Sequence, residues 1–433
     1  MFLLLSGIVL PLILLLLTVS KNLKPHYNGH SHPPSPWPRL PLVRNFFCHP
    51  PTMASLAEVL RRLHAAHGPV VSLWVGGKPA IFINHHDIAR RALVHMGTTF
   101  ARPPHGVNSA TYGSRWGLLR RNLSSHLAGE HVVGVLRGAR RYGVVVTPSE
   151  TFRHTVFGFF TALCFGEGVE EDTLRRLRGL HVEIISLIVE LDAFHLMPVF
   201  LQVVCYFPRW RKLLEAQRRH HDLVTSITSF RQRRREEGVG SDAAEPRCYV
   251  DTLLELGLGE EEKTTTTALE WIMARLVLHQ EIQQKLRSDI IARRASGNHI
   301  GKQGRPFVEA VVLEALRLHR SAQYLLAHTT DKDVTLDKYV IPKGSIVNFG
   351  VASIGRDASL WTDLNLFRPE RFVEGGEASG VRSTTGGGGG PETMKMIPFG
   401  AGRRACPGAE FAMTVLQKFV DDLVRRFRVD SGC

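Results

Sequence analysis

A glycine-rich stretch near the end of the chain, "FGAGRRACPG" (residues 399–408), holds one cysteine among glycines and arginines. Gly400 and Gly402 permit positive φ and a close approach of the chain, so backbone amides can point at the sulfur. Pro407 suits the first turn of a helix, because a helix leaves that N–H unpaired anyway. Cys406 is therefore predicted at a helix N-terminus, where partial positive charge lowers the pKa of a thiol and favours the thiolate.

Arg404 adds a fixed cation two residues before this cysteine. A thiolate beside a cation suits an iron-bound sulfur close to the acidic edge of a macrocycle. Spacing alone leaves other interpretations open, since a reactive or merely buried cysteine can also occupy a glycine turn. The chemistry of Cys406 must therefore be decided by what surrounds it in the rest of the chain.

Three further motifs place charged side chains at meaningful spacings. Glu314 and Arg317 are three residues apart in "VEAVVLEALRLHR", so they share one helix face and can pair. The second motif is "FRPERF" (367–372), and the third is "WGLLR", in which Trp116 and Arg120 are one helical turn apart. Each motif alone is weak, because surface helices produce E-x-x-R often and W-x-x-x-R also fits an ordinary amphipathic helix.

Together, these motifs resemble those of the cytochrome P-450 superfamily, closest to its plant microsomal members. The pattern F-x-x-G-x-R-x-C-x-G of its haem-thiolate loop is matched in full, and the other three motifs follow in family order. The resemblance implies a mainly α fold with small β-sheets (α+β) and haem b as cofactor. It also assigns the site residues: Cys406 as iron ligand; Trp116, Arg120, Phe399, Arg404 and Gly408 as haem-binding; Glu314, Arg317 and Arg371 as a buried charge network.

The activity implied by the resemblance is a monooxygenase that inserts one oxygen atom from O2 into a small lipophilic substrate. A thiolate ligand pushes electron density onto the iron and favours O–O cleavage. The implied electron donor is NADPH-cytochrome P-450 reductase, and a net charge of +14 suits docking of an acidic flavoprotein. Nucleic acid is not expected as a partner, because the chain has no zinc-finger spacing, RNP-type motif or lysine-rich tail.

The central helix of the family is where this sequence departs from the pattern. Aligned on "TALEW", Thr264 falls on the oxygen-side catalytic threonine, while Lys263 replaces the usual acid and Glu260 and Glu261 replace small residues. Glutamates in an apolar pocket are costly unless paired or protonated. We therefore expect "EEEK" to be a solvated loop before a shortened helix, and Thr264 to be either catalytic or a helix cap.

The end of the chain departs in the same direction. After Cys406 the sequence suffices for one more helix, so the strands that usually follow and line the substrate pocket are expected to be missing. The alternative function is therefore a haem-binding relative that is truncated or catalytically impaired.

The N-terminus predicts a membrane anchor over residues 1–20. The run from Phe2 to Val19 is apolar and uncharged, about the minimum length for a spanning helix. Its positive charges, Lys21 and Lys24, come after the run, which places the body in the cytosol. A cleaved signal peptide carries such charge before the apolar stretch, and a buried core helix is unusual at a terminus. With the resemblance, this predicts the endoplasmic reticulum membrane.

The remaining sequence divides by composition. Prolines stiffen the hinge and linker over 21–54, and the haem domain is predicted over 55–433. Within it, the low-complexity stretch 374–392 is expected to be a flexible Gly-rich insertion. A helix is expected from Ser55, a β-hairpin over 70–85 and short strands around 334–349. The spacing of the six cysteines does not resemble a disulfide framework, which indicates a reducing compartment.

Overall fold

The computed structural model describes part of the chain, namely residues 32–35, 53–75, 78–100, 157, 169–194, 199–236, 265–295, 305–319, 323–382 and 394–428. The predicted anchor over 1–20 lies outside these ranges, as do Trp116, Arg120 and Thr264. Most of the predicted hinge over 21–54 lies outside them too. The predicted site residues from Glu314 onward all fall inside.

Helices dominate the structure. They are α1 (Met53–His67), α2 (His86–Arg90), α3 (Glu171–Phe194), α4 (Val199–Glu236), α5 (Thr265–Leu278), α6 (Gln280–Ala295), α7 (Phe307–Leu318), α8 (Val351–Ile354) and α9 (Ala409–Arg426). A π-helical turn (Arg91–His95) continues α2, and 3₁₀ turns occupy Pro369–Phe372 and Gly402–Arg404. The helix predicted from Ser55 is confirmed as α1.

Two small sheets complete the fold. The strands are β1 (Val70–Val75), β2 (Lys78–Ile83), β3 (His328–Thr329), β4 (Val334–Leu336), β5 (Tyr339–Ile341) and β6 (Ile346–Phe349). The larger sheet has the order β1-β2-β6-β3, and β4 pairs with β5. The predicted hairpin is confirmed, with β1 antiparallel to β2 and Val70 opposite Ile83. Strand β6 lies parallel to β2, which ties residues distant in sequence to the hairpin.

The larger hydrophobic core lies among α5, α6, α7 and α9. Every residue of α7 except Glu309 is buried, including its charged Glu314 and Arg317. A helix that is buried on all sides must satisfy its charges internally, because water cannot reach them. A second core joins the sheets to α2, the π-helical turn and the stretch 394–401. The mainly helical fold with small sheets is thus confirmed.

The first residues of the predicted insertion, 374–382, pack partly against the larger core. Within 374–382, Ala378 and Val381 are 1% and 0% exposed and belong to the larger core. The guanidinium of Arg305 donates to the carbonyl oxygens of both residues. The low-complexity composition concealed these anchors, because two small apolar side chains suffice to fix a glycine-rich turn. Residues 383–393 lie outside the described structure.

Several predictions concern segments that lie outside the described residues. Residues 237–264, which include the predicted "EEEK" loop, lie outside it, so the shortened central helix upstream of α5 stays a prediction. The absence of further C-terminal strands stays a prediction too. Among the described helices, none combines the length and apolar character needed to cross a bilayer. The predicted anchor segment lies outside that part of the chain.

Candidate functional site

The Cys406 loop is held by its own backbone hydrogen bonds. The Cys406 N–H donates to the Phe399 carbonyl oxygen at 2.7 Å, and the Gly400 N–H donates to the Ile397 carbonyl oxygen at 3.1 Å. The 3₁₀ turn Gly402–Arg404 lies between these two bonds. Cys406 is an exposed thiol that forms no disulfide. The loop therefore presents its sulfur outward from a backbone that is fixed at both ends.

The two glycines of the loop adopt left-handed conformations, as their spacing predicted. Gly400 has φ +73° and Gly402 has φ +69°, a region that side chains disfavour. A Cβ at Gly402 would collide with the carbonyl oxygen of Leu93, which lies in the π-helical turn. Only glycine allows the loop to pack this closely on that turn.

The helix after the loop begins later than predicted. Helix α9 starts at Ala409 with Gly408 as its N-cap residue, so Pro407 lies in the turn before the helix rather than in its first turn. Cys406 still precedes the α9 N-terminus by a short turn. The electrostatic effect of the helix dipole falls off within about one turn of the helix end. Cys406 lies near the limit of that distance, so the dipole acts on its thiol only weakly.

Arg404 lies close enough to His328 for its charge to act on the imidazole. Burial lowers the pKa of His328, a hydrogen bond with the Phe100 carbonyl oxygen opposes this, and the charge of Arg404 lowers it further. The Nδ1 atom of His328 lies 2.7 Å from that carbonyl oxygen. His328 was not predicted from the sequence, because a single histidine starting a two-residue strand carries no motif.

Glu314, Arg317 and Arg371 lie in mutual contact. Arg317 donates from Nε to Oε2 of Glu314 at 2.7 Å and from Nη2 to Oε1 at 2.8 Å. Arg371 donates from Nε to Oε1 of the same carboxylate at 3.2 Å. All three side chains are 0% exposed. One carboxylate thus anchors α7 to the 3₁₀ turn Pro369–Phe372.

Backbone carbonyls accept most of the remaining guanidinium hydrogen bonds. Arg317 donates to the carbonyl oxygens of Gly355 at 3.1 Å and Leu364 at 2.8 Å, and Arg371 donates to that of Thr362 at 2.9 Å. Burial lowers the pKa of Arg371, and the charge of Glu314 opposes that effect. Burying charges is tolerable only when such donors are paired, and here they are.

Two members of this network were not predicted from the sequence. The indole ring of Trp361 lies 5.0 Å from the guanidinium carbon of Arg317 and 5.8 Å from that of Arg371. Glu377 forms an ion pair with Arg371. Trp361 stands in "GRDASLW", so a motif-based search had a signal for it. Glu377 lies in the stretch assigned to a flexible insertion, which hid it.

The residues of the loop fit a haem. A cysteine sulfur is a soft ligand for iron, and Cys406 is exposed on a rigid turn. Arg404 would supply a cation for a haem carboxylate, and Phe399 packs partly buried against the larger core behind the loop. Trp116, Arg120 and Thr264, the other residues assigned to this site, lie outside the described residues.

A family model for cytochrome P-450 matches residues 34–432. The chain therefore belongs to the cytochrome P-450 family and is an oxidoreductase of that class. Since the match spans nearly the whole chain, it covers the Cys406 loop, the charge network and most of the segments that lie outside the described structure.

Particular relatives come from plants. Cytochrome P-450 89A9 of Arabidopsis thaliana is 29% identical over 93% of this chain and 88% of its own length. Flavonoid 3'-monooxygenase of the same plant is 25% identical over 97% of this chain and 88% of its length. Among solved structures, a zebrafish cytochrome P-450 with progesterone matches at TM-score 0.63 and 19% identity, covering 84% of this chain and 90% of that one. This last likeness concerns the fold.

Proposed function

We propose that this chain is a haem-thiolate monooxygenase that inserts one oxygen atom from O2 into a small lipophilic substrate. The observation that carries the proposal is the Cys406 thiol, exposed on a turn whose glycines and backbone hydrogen bonds fix it. The match of residues 34–432 to the cytochrome P-450 family model supports the proposal. When bound, haem b supplies the chemistry of O2 activation, and the protein supplies the ligand, the orientation and the pocket.

The residues of the loop would each have one task. Cys406 would provide the sulfur ligand, and Arg404, with Trp116 and Arg120, would hold the carboxylates of the cofactor. Phe399 and Gly408 shape the loop around the sulfur. The charge of Arg404 contributes to the lowered pKa of the buried His328. This assignment follows from ligand chemistry and charge, because cations and a soft anion are what this cofactor requires.

The charge network would act behind the site rather than in it. Glu314 holds α7 and the turn Pro369–Phe372 at one distance, and α7 packs in turn against α9, which begins just after Cys406. A rigid support of this kind keeps the sulfur where the iron needs it. Thr264, which the family pattern assigns as the catalytic threonine, would hold a proton for the reaction.

The cellular setting follows from the N-terminal sequence and the charge. We assign residues 1–20 to a single-pass anchor in the endoplasmic reticulum membrane, with the body in the cytosol. Electrons would come from NADPH through NADPH-cytochrome P-450 reductase, whose acidic surface suits a chain of net charge +14. Relatives named for flavonoid and drimenol oxidation support a lipophilic plant metabolite as substrate.

A turnover assay tests the function. The full chain, reconstituted with hemin, is mixed with the reductase and NADPH and offered a panel of lipophilic plant metabolites under isotopically labelled O2. We expect a product that carries one labelled oxygen atom.

The second candidate, a haem-binding but impaired relative, is favoured by Glu260, Glu261 and Lys263 in the central helix motif. Full haem incorporation without labelled product across the panel would support that candidate instead.

A further inference from the structure

A cluster of histidines and carboxylates lies at the edge of the larger sheet, outside the Cys406 site. His85, His86 and Asp87 follow β2 after one intervening residue, and Asp357 follows β6 through the short helix α8. Strands β2 and β6 are parallel, with Ile83 opposite Phe349, so both chain segments leave the sheet at the same edge. The topology therefore brings side chains from two distant segments together.

The three consecutive residues converge. One ligating atom from each of His85, His86 and Asp87 lies within 4.8 Å of the other two. The imidazole rings stack with their centroids 4.6 Å apart, and Nε2 of His86 lies 3.4 Å from Oδ2 of Asp87. Zinc bonds to such ligands are about 2.0–2.2 Å long, so small side-chain rotations would bring all three atoms onto one ion.

Asp357 orients the middle histidine. Its Oδ2 atom lies 3.3 Å from Nδ1 of His86, which favours a proton on Nδ1 and leaves a lone pair on Nε2, on the side of Asp87. A carboxylate on the far nitrogen is the usual arrangement for a metal-ligating histidine. The side chains of His86 and Asp357 are both 16% exposed, whereas Asp87 is 48% exposed, so the ligating side faces solvent.

The ion pairs of His86 do not account for the environment of its neighbour His85. Its Nδ1 atom is buried and has no hydrogen-bond partner within the described part of the chain. A buried polar atom without a partner is destabilising. Arg90 lies 3.8 Å from Oδ1 of Asp87, which leaves Oδ2, the atom nearer to His86, for another ligand.

We propose that His85, His86 and Asp87 bind a divalent cation of the zinc type, with Asp357 as the positioning residue. Two imidazoles and a carboxylate suit zinc, and three protein ligands leave one position for water. The ion would fix the start of the segment that continues through α2 into the π-helical turn. That turn contacts the Cys406 loop through Leu93 and Gly402, so the ion would stiffen the support of the loop.

Zinc titration of the haem-loaded full chain tests the proposal. The protein is stripped with EDTA, and ZnCl2 is titrated by calorimetry into the parent and into His86→Ala, Asp87→Asn and, as the control, His67→Ala. His67 is an exposed histidine at the end of α1. We expect one tight zinc site in the parent and the control, and at least tenfold weaker binding in the other two. X-ray absorption at the zinc edge should show two imidazoles.

Asp357→Asn separates positioning from a purely structural role. We expect it to weaken zinc binding about 10–100-fold while the unfolding midpoint measured in EDTA stays near that of the parent. A lower midpoint with unchanged zinc affinity would overturn the positioning role. A parent without a tight site, or variants Asp87→Asn and His86→Ala that bind zinc as tightly as the parent, would overturn the site itself and leave only the contacts of His86 with Asp87 and Asp357.

Discussion

At the scale of single residues, the site depends on one glycine as much as on its cysteine. Gly402 adopts φ +69°, and a Cβ there would collide with the Leu93 carbonyl oxygen. Two penalties therefore coincide at this position, a strained backbone and a steric clash. The loop that carries Cys406 can pack on the π-helical turn only because position 402 has no side chain.

Gly402→Ala should therefore lose haem. We expect the substitution to displace the loop and to reduce haem bound per protein several-fold, measured from the Soret absorbance against total protein. Gly344→Ala is the matched control, because Gly344 also has positive φ but a Cβ added there would meet no atom within 4 Å. That control should cost about 1–2 kcal/mol of stability and keep its haem. Equal haem content in both variants would contradict this account of the loop.

His64 gives the fold a pH dependence. Burial lowers its pKa, against a hydrogen bond with the Gly68 carbonyl oxygen. The folded state then holds His64 neutral while the unfolded chain binds a proton near pH 6.5. The free energy of unfolding therefore falls as the pH drops below about 6.5, since the unfolded state binds more protons there.

The substitution His64→Gln should reduce that loss of stability. Urea midpoints at about pH 7.5 and about pH 5.5 should differ less for His64→Gln than for the parent protein. His67→Gln, an exposed position on the same helix, should behave like the parent. The interpretation fails if both variants change the pH dependence equally.

At the scale of elements, the buried charges join α7 to the chain that precedes the loop. Glu314 accepts hydrogen bonds from Arg317 and Arg371, and backbone carbonyls and Glu377 accept the others. Removing one partner of such a set leaves a charge buried and poorly compensated, which typically costs about 3–5 kcal/mol. The network therefore fixes the relative position of segments that are far apart in sequence.

Arg371→Leu should destabilise the protein by about 3–5 kcal/mol, seen as a large drop in the urea midpoint. The control is Arg368→Gln, since Arg368 pairs with Asp363 on the surface at 2.9 Å with both side chains about half exposed. An exposed pair is worth about 0–1 kcal/mol. A urea midpoint for Arg371→Leu that matched that of the control would rule out a stabilising role for the buried charge network.

Sequence patterns predicted the local parts of this arrangement. The i,i+3 spacing of Glu314 and Arg317 is set by the helix itself, and the β1–β2 hairpin follows from two apolar runs separated by two glycines. Glu377 and His328 were not assigned, because their partners come from other elements and no periodicity links them, whereas Trp361 was missed although it stands in "GRDASLW". The parallel pairing of β6 with β2 was missed for the same reason.

At the scale of the whole molecule, the net charge of +14 is the feature most open to a functional test. Charge complementarity raises the rate at which partners meet, and salt screens it. If the chain receives electrons from an acidic flavoprotein, its reduction should slow severalfold as ionic strength rises from about 0.05 M to about 0.5 M. Stopped-flow reduction by the reductase measures this, and a rate independent of salt would contradict charge-guided docking.

The bond between iron and Cys406 is the central claim, and the spectrum of the reduced carbonyl complex tests it most directly. The hemin-reconstituted parent should show a red-shifted Soret band, because a thiolate ligand causes that shift. Cys406→Ala should lose the band, while Cys433→Ala, the control, should keep it. A parent protein that lacks the red-shifted band, or a band that survives in Cys406→Ala, would contradict the assignment.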